Sequence, residues 1–251
     1  MLLAALRCEK GDITGNLAAQ LRLLADARSA GCQLAVFPEM SLTGSADPAT
    51  HPERLITLDH PAVGRLARAS GETGVAVCFG LAERSPAGQP YITQAVAASG
   101  RLLGVQRKRR LGEGEETFTA ATGTGVFGLA GVCFGVAICA EAGFDAPFDD
   151  AAAGGAGLML FPAAPGLHGR CTDEASWRRG FGWWETSSLG DAGRHARRLG
   201  LWVALAGQAG ATADEDFPGL AAVVAPDGSV TARLPDWREG VLVADIGEPA
   251  R

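Results

Sequence analysis

The sequence has little basic charge. Its 251 residues contain 22 Lys and Arg against 28 Asp and Glu, which gives a formal net charge of −6 and a pI near 5.3. Proteins that bind nucleic acid non-specifically carry a basic surface, so this balance argues against that function. Lysine is the scarcest charged residue, because Lys10 and Lys108 stand against twenty arginines. Where arginine serves as the surface cation, a lysine inside a motif raises the question of why lysine is used there.

The chain also lacks any C-x-x-C pair. Several cysteines lie in apolar runs, so we expect reduced, mostly buried thiols in a cytoplasmic protein and no disulfide framework. Residues 1–10 have neither the basic segment nor the full apolar core of a signal peptide. The longest uncharged stretch, residues 117–140, contains Thr and Gly and is broken at residues 128–131, so we expect no membrane span.

Metal and nucleotide motifs are missing as well. The histidines show no i, i+4 or H-E-x-x-H spacing, so we expect no metal site. We expect surface positions for them, although His168 and His195 could approach a pocket. The stretch GTGVFG at residues 123–128 matches a dinucleotide fingerprint, but a strand follows it where that site requires a helix. We therefore expect no dinucleotide site at this stretch.

The chain has enough apolar material for a large core. Hydrophobic residues make up 47% of the sequence, and no linker interrupts it, so we expect one domain over residues 1–251. Short apolar runs alternate with helical patterns at residues 14–30, 61–74, 146–154 and 187–199. Turn residues at 99–100 and at 226–228 each predict a hairpin between the two apolar runs that flank them. This mixture predicts an α/β protein with sheets covered by helices.

Three apolar strands end in groups that can do chemistry, namely Glu39, Lys108 and Cys139. Sheet proteins place catalytic groups at strand ends. Taken singly, each has an ordinary explanation: a solvated acid, an exposed lysine and a buried structural thiol. Taken together, a carboxylate, an ammonium group and a thiol can supply a general base, an electrostatic clamp and a nucleophile.

These groups lie in three sequence patterns. The first reads V-F-P-E-M-S-L-T-G at residues 36–44, the second K-R-R-L at residues 108–111, and the third G-V-A-I-C-A-E at residues 135–141. In this order they resemble the motifs of the nitrilase superfamily, the carbon–nitrogen hydrolases, and the likeness covers nearly the whole chain. In that family a supporting glutamate follows the second motif by about four residues. This spacing indicates Glu115, with Glu113 and Glu116 as alternatives.

The resemblance implies a four-layer α-β-β-α sandwich, a homodimer or larger homo-oligomer, and no cofactor or metal. It implies hydrolysis of a non-peptide C–N bond in a small amide or nitrile. Glu39 would be the general base, Cys139 the nucleophile that forms a thioester, and Lys108 an oxyanion donor together with a backbone N–H after the cysteine. Glu115 would hold Lys108 in place. Glu141 is expected to be structural, accepting backbone hydrogen bonds in its turn.

Several alternatives remain open. Amide hydrolysis is preferred because amidases are the more varied members, whereas nitrile hydrolysis, N-carbamoyl hydrolysis and acyl transfer to an amine are also compatible with the motifs. A silent binding or scaffold protein on the same fold is another alternative. A thiol-redox protein using Cys133 and Cys139 is a third class, but six positions along one strand would separate them by about 20 Å, too far for a disulfide.

An aromatic stretch lies in a segment rich in Gly and Arg, which we interpret as a loop. It contains Trp177, Phe181, Trp183 and Trp184. Packing against a helix or a subunit interface is the slightly favoured explanation. The alternative is an aromatic wall over the substrate pocket.

Overall fold

A computed structural model describes residues 1–247 of the protein. Its strands are β1 (Leu2–Ala5), β2 (Leu34–Val36), β3 (Ala76–Arg84), β4 (Pro90–Ala98), β5 (Arg101–Arg107), β6 (Val126–Leu129), β7 (Val132–Val136), β8 (Leu158–Ala163), β9 (Trp202–Gly207), β10 (Ala209–Ala211), β11 (Asp216–Pro218), β12 (Ala221–Val224), β13 (Val230–Arg233) and β14 (Gly240–Val243). Its helices are α1 (Ile13–Ser29), α2 (Pro61–Thr73), α3 (Asp145–Ala153) and α4 (Glu174–Leu199), with 3₁₀ segments at Pro52–Arg54 and Cys139–Gly143.

The strands form two six-stranded sheets and a small ribbon of β10 and β11. The first sheet has the order β14-β1-β2-β3-β4-β5 and the second the order β13-β12-β9-β8-β7-β6. Strands β1, β2 and β3 run parallel, as do β7, β8 and β9, and the outer pairs are antiparallel. Helices connect the parallel strands, and the two predicted hairpins join β4 to β5 and β12 to β13.

Three apolar layers lie between the elements. One layer fills the space between α1, α2 and the first sheet, the next lies between the two sheets, and the third lies between the second sheet and α3 and α4. Representative residues, in that order, are Leu24, Leu66 and Phe79; Leu3, Val36 and Leu160; and Phe148, Phe161 and Ala196. The predicted four-layer α-β-β-α sandwich is therefore confirmed.

Helix α4 differs from the sequence prediction, which placed its start at residue 187 and a loop before it. It begins at Glu174, after Asp173 accepts a hydrogen bond from the Ser176 amide at 2.7 Å. Glycines within the stretch lower its helix propensity. Phe181 and Trp184 are nevertheless buried in the third apolar layer, and this burial outweighs the propensity. The loop interpretation of residues 177–184 is wrong.

Among the described residues, no helix combines the length and the apolar character that a bilayer crossing requires.

Candidate active site

Glu39 follows β2 in a sharp turn. Gln94 on β4 donates from Nε2 to the carbonyl oxygen of Phe37 at 3.0 Å, and Met40 adopts φ 49°, in the left-handed region. The turn passes so close to β3 that a Cβ on Gly80 would lie 2.2 Å from the Met40 nitrogen, so glycine is required there. The Glu39 side chain is 1% exposed. The backbone therefore delivers a carboxylate into the interior, and the anchoring role of Gln94 carried no signal in the sequence.

Lys108 follows β5 and is completely buried between two carboxylates. Its Nζ donates to Glu39 Oε1 at 2.8 Å and to Glu115 Oε1 at 2.6 Å. The other oxygen of Glu115 accepts a hydrogen bond from the Gly112 amide at 2.6 Å, which fixes the carboxylate. Glu113 and Glu116 are exposed. Of the three clustered glutamates, the structure brings Glu115 to the lysine.

Cys139 begins the 3₁₀ segment after β7, with φ 47°. A non-glycine residue in this region carries strain of order 1–3 kcal/mol, which is typical of functional sites. Its thiol lies within the range at which the charges of the Glu39 carboxylate and the Lys108 ammonium group act on its pKa. The Ala164 amide, just beyond β8, donates to Glu39 Oε2 at 3.0 Å. Glu39, Lys108 and Cys139 thus meet in one cluster.

The Glu141 carboxylate ties two of these turns together. Its Oε1 accepts from the Arg109 amide at 2.8 Å, directly after Lys108, and its Oε2 accepts from the Ile138 amide at 2.8 Å, directly before Cys139. The expected structural role of Glu141 therefore matches its contacts. One carboxylate sets the spacing between the turn that carries the lysine and the turn that carries the thiol.

Burial and charge together set the protonation of the cluster. Burial raises the pKa of Glu39, against the lowering effect of the Lys108 charge. Burial alone would lower the pKa of Lys108, but the charges of Glu39 and Glu115 and the hydrogen bond to Glu115 outweigh it and raise that pKa. Burial raises the pKa of the Cys139 thiol, and the Glu39 carboxylate raises it further. The resting thiol is therefore neutral, and Glu39 is placed to accept its proton.

The cluster opens onto a cavity of about 680 Å³, within the size range of small-molecule sites. Cys139 and Glu115 lie in its wall, with the backbone of Ala140 beside the thiol. The apolar part of the wall is formed by Met40, Phe118, Phe161, Leu167, Trp183 and Trp184. Chemically, the site offers a thiol, a base, a buried cation and an apolar surface beside them.

The aromatic residues of α4 divide between two roles. Trp183 is half exposed and lines the cavity, whereas Trp184 lines it while packing edge-on against Phe161 in the core. Trp177 stacks on Trp237 with ring centroids 6.4 Å apart. The packing hypothesis thus fits Trp177, and the hypothesis of a wall over the pocket fits the geometry of Trp183.

The remaining candidate residues do not join the cluster. His168 is exposed at the cavity rim, as its sequence context predicts, whereas His195 is buried on α4 and the surface prediction for it is wrong. Cys133 is exposed and, like the other cysteines, free of disulfides. Within residues 1–247, no group of three or more His, Cys, Asp or Glu side chains is arranged to hold a metal ion.

Comparison with known proteins gives one consistent result. The family model for carbon–nitrogen hydrolases matches residues 2–249. The NitN amidase from Nesterenkonia sp. AN1 superposes with a TM-score of 0.84 at 25% sequence identity, over 98% of this chain and 92% of that one. A mutant of that amidase with butyramide bound superposes with a TM-score of 0.82 at 25% identity, over 98% and 89% of the two chains. No curated protein matches the chain by sequence.

Another mutant of the Nesterenkonia sp. AN1 amidase carries acrylamide, joined by Michael addition to its active-site cysteine. It superposes with a TM-score of 0.84 at 25% identity, over 98% of this chain and 92% of that one.

Proposed function

The chain belongs to the carbon–nitrogen hydrolase family, and from that premise we propose that it is an amidase that hydrolyses a small amide through a thioester on Cys139. The observation that supports this most is the grouping of the Cys139 thiol with a buried carboxylate and a buried ammonium group, which bond each other at 2.8 Å, at the wall of a cavity. The amidase identity of the structural neighbours, and the butyramide bound to one of them, favour an amide over a nitrile.

In the first step Glu39 accepts the thiol proton while the Cys139 sulfur attacks the amide carbon. Burial raises the pKa of Cys139, so the thiol is not ionised in advance and needs a base at the moment of attack. The same burial raises the pKa of Glu39, which brings its basicity closer to what a general base requires near neutral pH. The carbonyl oxygen becomes an oxyanion.

Lys108 Nζ and the Ala140 backbone N–H are the donors that we assign to the oxyanion. Lys108 is held in place by Glu39 and Glu115 at 2.8 and 2.6 Å, so it does not have to reorganise as the negative charge develops. Such preorganised donors are worth roughly 3–4 kcal/mol each in the transition state. The Ala140 amide belongs to the segment that the Glu141 carboxylate anchors.

Protonated Glu39 then gives its proton to the leaving nitrogen, which departs as ammonia and leaves a thioester on Cys139. Water attacks the thioester while Glu39 accepts a proton from it. The second tetrahedral intermediate collapses as the sulfur leaves and takes the proton back from Glu39. One amide and one water become one carboxylic acid and one ammonia, and the site returns to its starting state.

The test uses purified protein with butyramide, butyronitrile and an N-carbamoyl compound, measuring ammonia release and the intact mass of the protein. We expect turnover of the amide and an acyl adduct on Cys139. Cys139→Ala should abolish both while the thermal unfolding temperature stays near wild type. Cys133→Ala, which removes an exposed thiol nearby in the chain, is the matched control and should remain active. Amide turnover by folded Cys139→Ala would contradict the proposal.

A further inference from the structure

His195 is completely buried behind the segment that carries Cys139. Its Nε2 lies 2.9 Å from the carbonyl oxygen of Ala142, which belongs to the 3₁₀ segment Cys139–Gly143 and lines the cavity. Its ring stacks on Phe148 of α3, with centroids 3.7 Å apart and planes 4° from parallel. A side chain outside the reacting cluster therefore touches the backbone that presents the nucleophile.

The neighbours of the ring determine its tautomer. Arg198 Nη2 lies 3.1 Å from Nδ1, and because a guanidinium only donates, Nδ1 must be the unprotonated acceptor. Nε2 then carries the hydrogen and donates it to the Ala142 oxygen. Arg194 Nη2, 3.0 Å from Nε2, would favour the opposite tautomer, but that arrangement leaves both the Ala142 oxygen and the Arg198 donor without a partner on the ring. The first tautomer satisfies two contacts and the second satisfies one.

Burial, together with the two neighbouring arginines, favours the neutral form of this imidazole. Burial lowers the pKa of His195, and the charges of Arg194 and Arg198 lower it further, while the bond to Ala142 and the charge of Asp145 act in the opposite direction. Asp145 Oδ1 lies 3.9 Å from Nδ1 and is also paired with Arg194 and Arg198. The ring is thus a fixed, uncharged donor facing one carbonyl.

We propose that His195 is a positioning residue, which holds the backbone of Cys139 and Ala140 in its reactive geometry through the hydrogen bond to Ala142. The inference rests on the proposed function of Cys139. Glu141 anchors the start of the same segment through the Ile138 amide, so the segment is held at two points and His195 supplies the second. A shift of about 1 Å in a reacting group can reduce a rate roughly 100-fold.

The decisive variants are His195→Gln and His195→Asn. The amide nitrogen of glutamine can occupy the place of Nε2 and reach the Ala142 oxygen, whereas asparagine can replace Nδ1 but is too short to reach it. Both variants remove the stack on Phe148, so their packing losses match. Phe148→Leu removes the stack and leaves the donor, and it serves as the packing control. The measurements are kcat and KM for butyramide, the unfolding temperature, and the rate of Cys139 alkylation by chloroacetamide.

We expect His195→Asn to lose roughly 10- to 100-fold in kcat with little change in KM, and to slow alkylation by a similar factor. His195→Gln should keep a kcat within about threefold of the wild-type value, because it retains a donor to the Ala142 oxygen. Phe148→Leu should unfold at a lower temperature but keep its kcat. Equal losses of kcat in the Asn and Gln variants, in step with their unfolding temperatures, would overturn the proposal.

Two further outcomes are also decisive. If His195→Asn does not fold, a large loss of kcat in folded His195→Gln would itself contradict the proposal, because that variant keeps the donor, and wild-type-like kcat would support it. If the wild-type protein hydrolyses no amide, the proposed function fails, and the alkylation rates of the folded variants still decide the role of His195.

Discussion

Replacing Glu115 with glutamine should separate the charge of this residue from its shape. The Glu115 carboxylate bonds Lys108 Nζ through one oxygen and the Gly112 amide through the other, both at 2.6 Å. Glutamine has one acceptor and one donor group, so it can keep only one of these two bonds. A hydrogen bond to a charged group contributes about 1.5–3 kcal/mol. If that amount is lost from the transition state, kcat/KM falls roughly 10- to 150-fold.

The same variant should also change the pH dependence. Burial raises the pKa of Glu39, and the negative charge of Glu115 raises it further. Glu39 must be ionised to accept the thiol proton, so activity is lost as the pH falls through its pKa. Removing the charge of Glu115 lowers the pKa of Glu39. The acid limb of the kcat/KM profile should therefore move to lower pH, even though the maximal kcat/KM of the variant is below that of the wild type.

The assay is ammonia release from butyramide across the acid range, with Glu113→Gln and Glu116→Gln as matched controls. Both control residues are exposed in the same loop, so each variant loses the same charge without touching Lys108. We expect both controls to stay near the wild-type rate. Wild-type kcat/KM in Glu115→Gln, or an equal loss in Glu113→Gln, would show that the support of Lys108 has been assigned to the wrong group.

Further outcomes follow from the same site. Lys108→Arg should lose roughly 100- to 1,000-fold in kcat, because a planar guanidinium does not fit the buried place of Nζ; Arg109→Lys is the control, and near-normal kcat in Lys108→Arg would remove the lysine from the mechanism. In the wild-type protein, the acid limb of kcat/KM should have an apparent pKa above that of an ordinary glutamate, since burial raises the pKa of Glu39; a limb at the ordinary value would argue against it as the base. Trp183→Ala should raise KM for bulky aromatic amides more than for acetamide, and equal effects on all substrates would favour a packing role.

Much of the site could be predicted because each reacting group is fixed by local sequence. Lys108 comes directly after a strand, and Glu39 and Cys139 each lie three residues beyond one, so the carboxyl ends of strands place all three groups. For the support of the lysine, the spacing in the resembled family favours Glu115, but the residues themselves leave Glu113 and Glu116 as alternatives. Three glutamates lie within four positions of a glycine-containing loop, and the conformation of that loop decides which one turns inward.

The errors of prediction lie on α4, where packing outweighs local preference. Its glycines suggested a loop across residues 177–184, but the burial of Phe181 and Trp184 stabilises helix there. The surface position predicted for His195 was wrong because the arginines around it in the sequence give no sign that its ring is buried. The ring is covered by Phe148, a residue 47 positions earlier in the sequence, and contacts of that kind depend on the fold.

The cluster draws on both sheets, because Glu39 and Lys108 come from strands of the first and Cys139 and the Ala164 amide come from the second. Neither half of the sandwich holds both the proposed nucleophile and the proposed base, so we expect no activity from a partly folded chain. Under the proposed mechanism, activity therefore requires that the two sheets are packed together. An acyl group bound covalently to Cys139 and in contact with Lys108 would connect the two sheets across their interface. Such a contact should slow the separation of the sheets during unfolding.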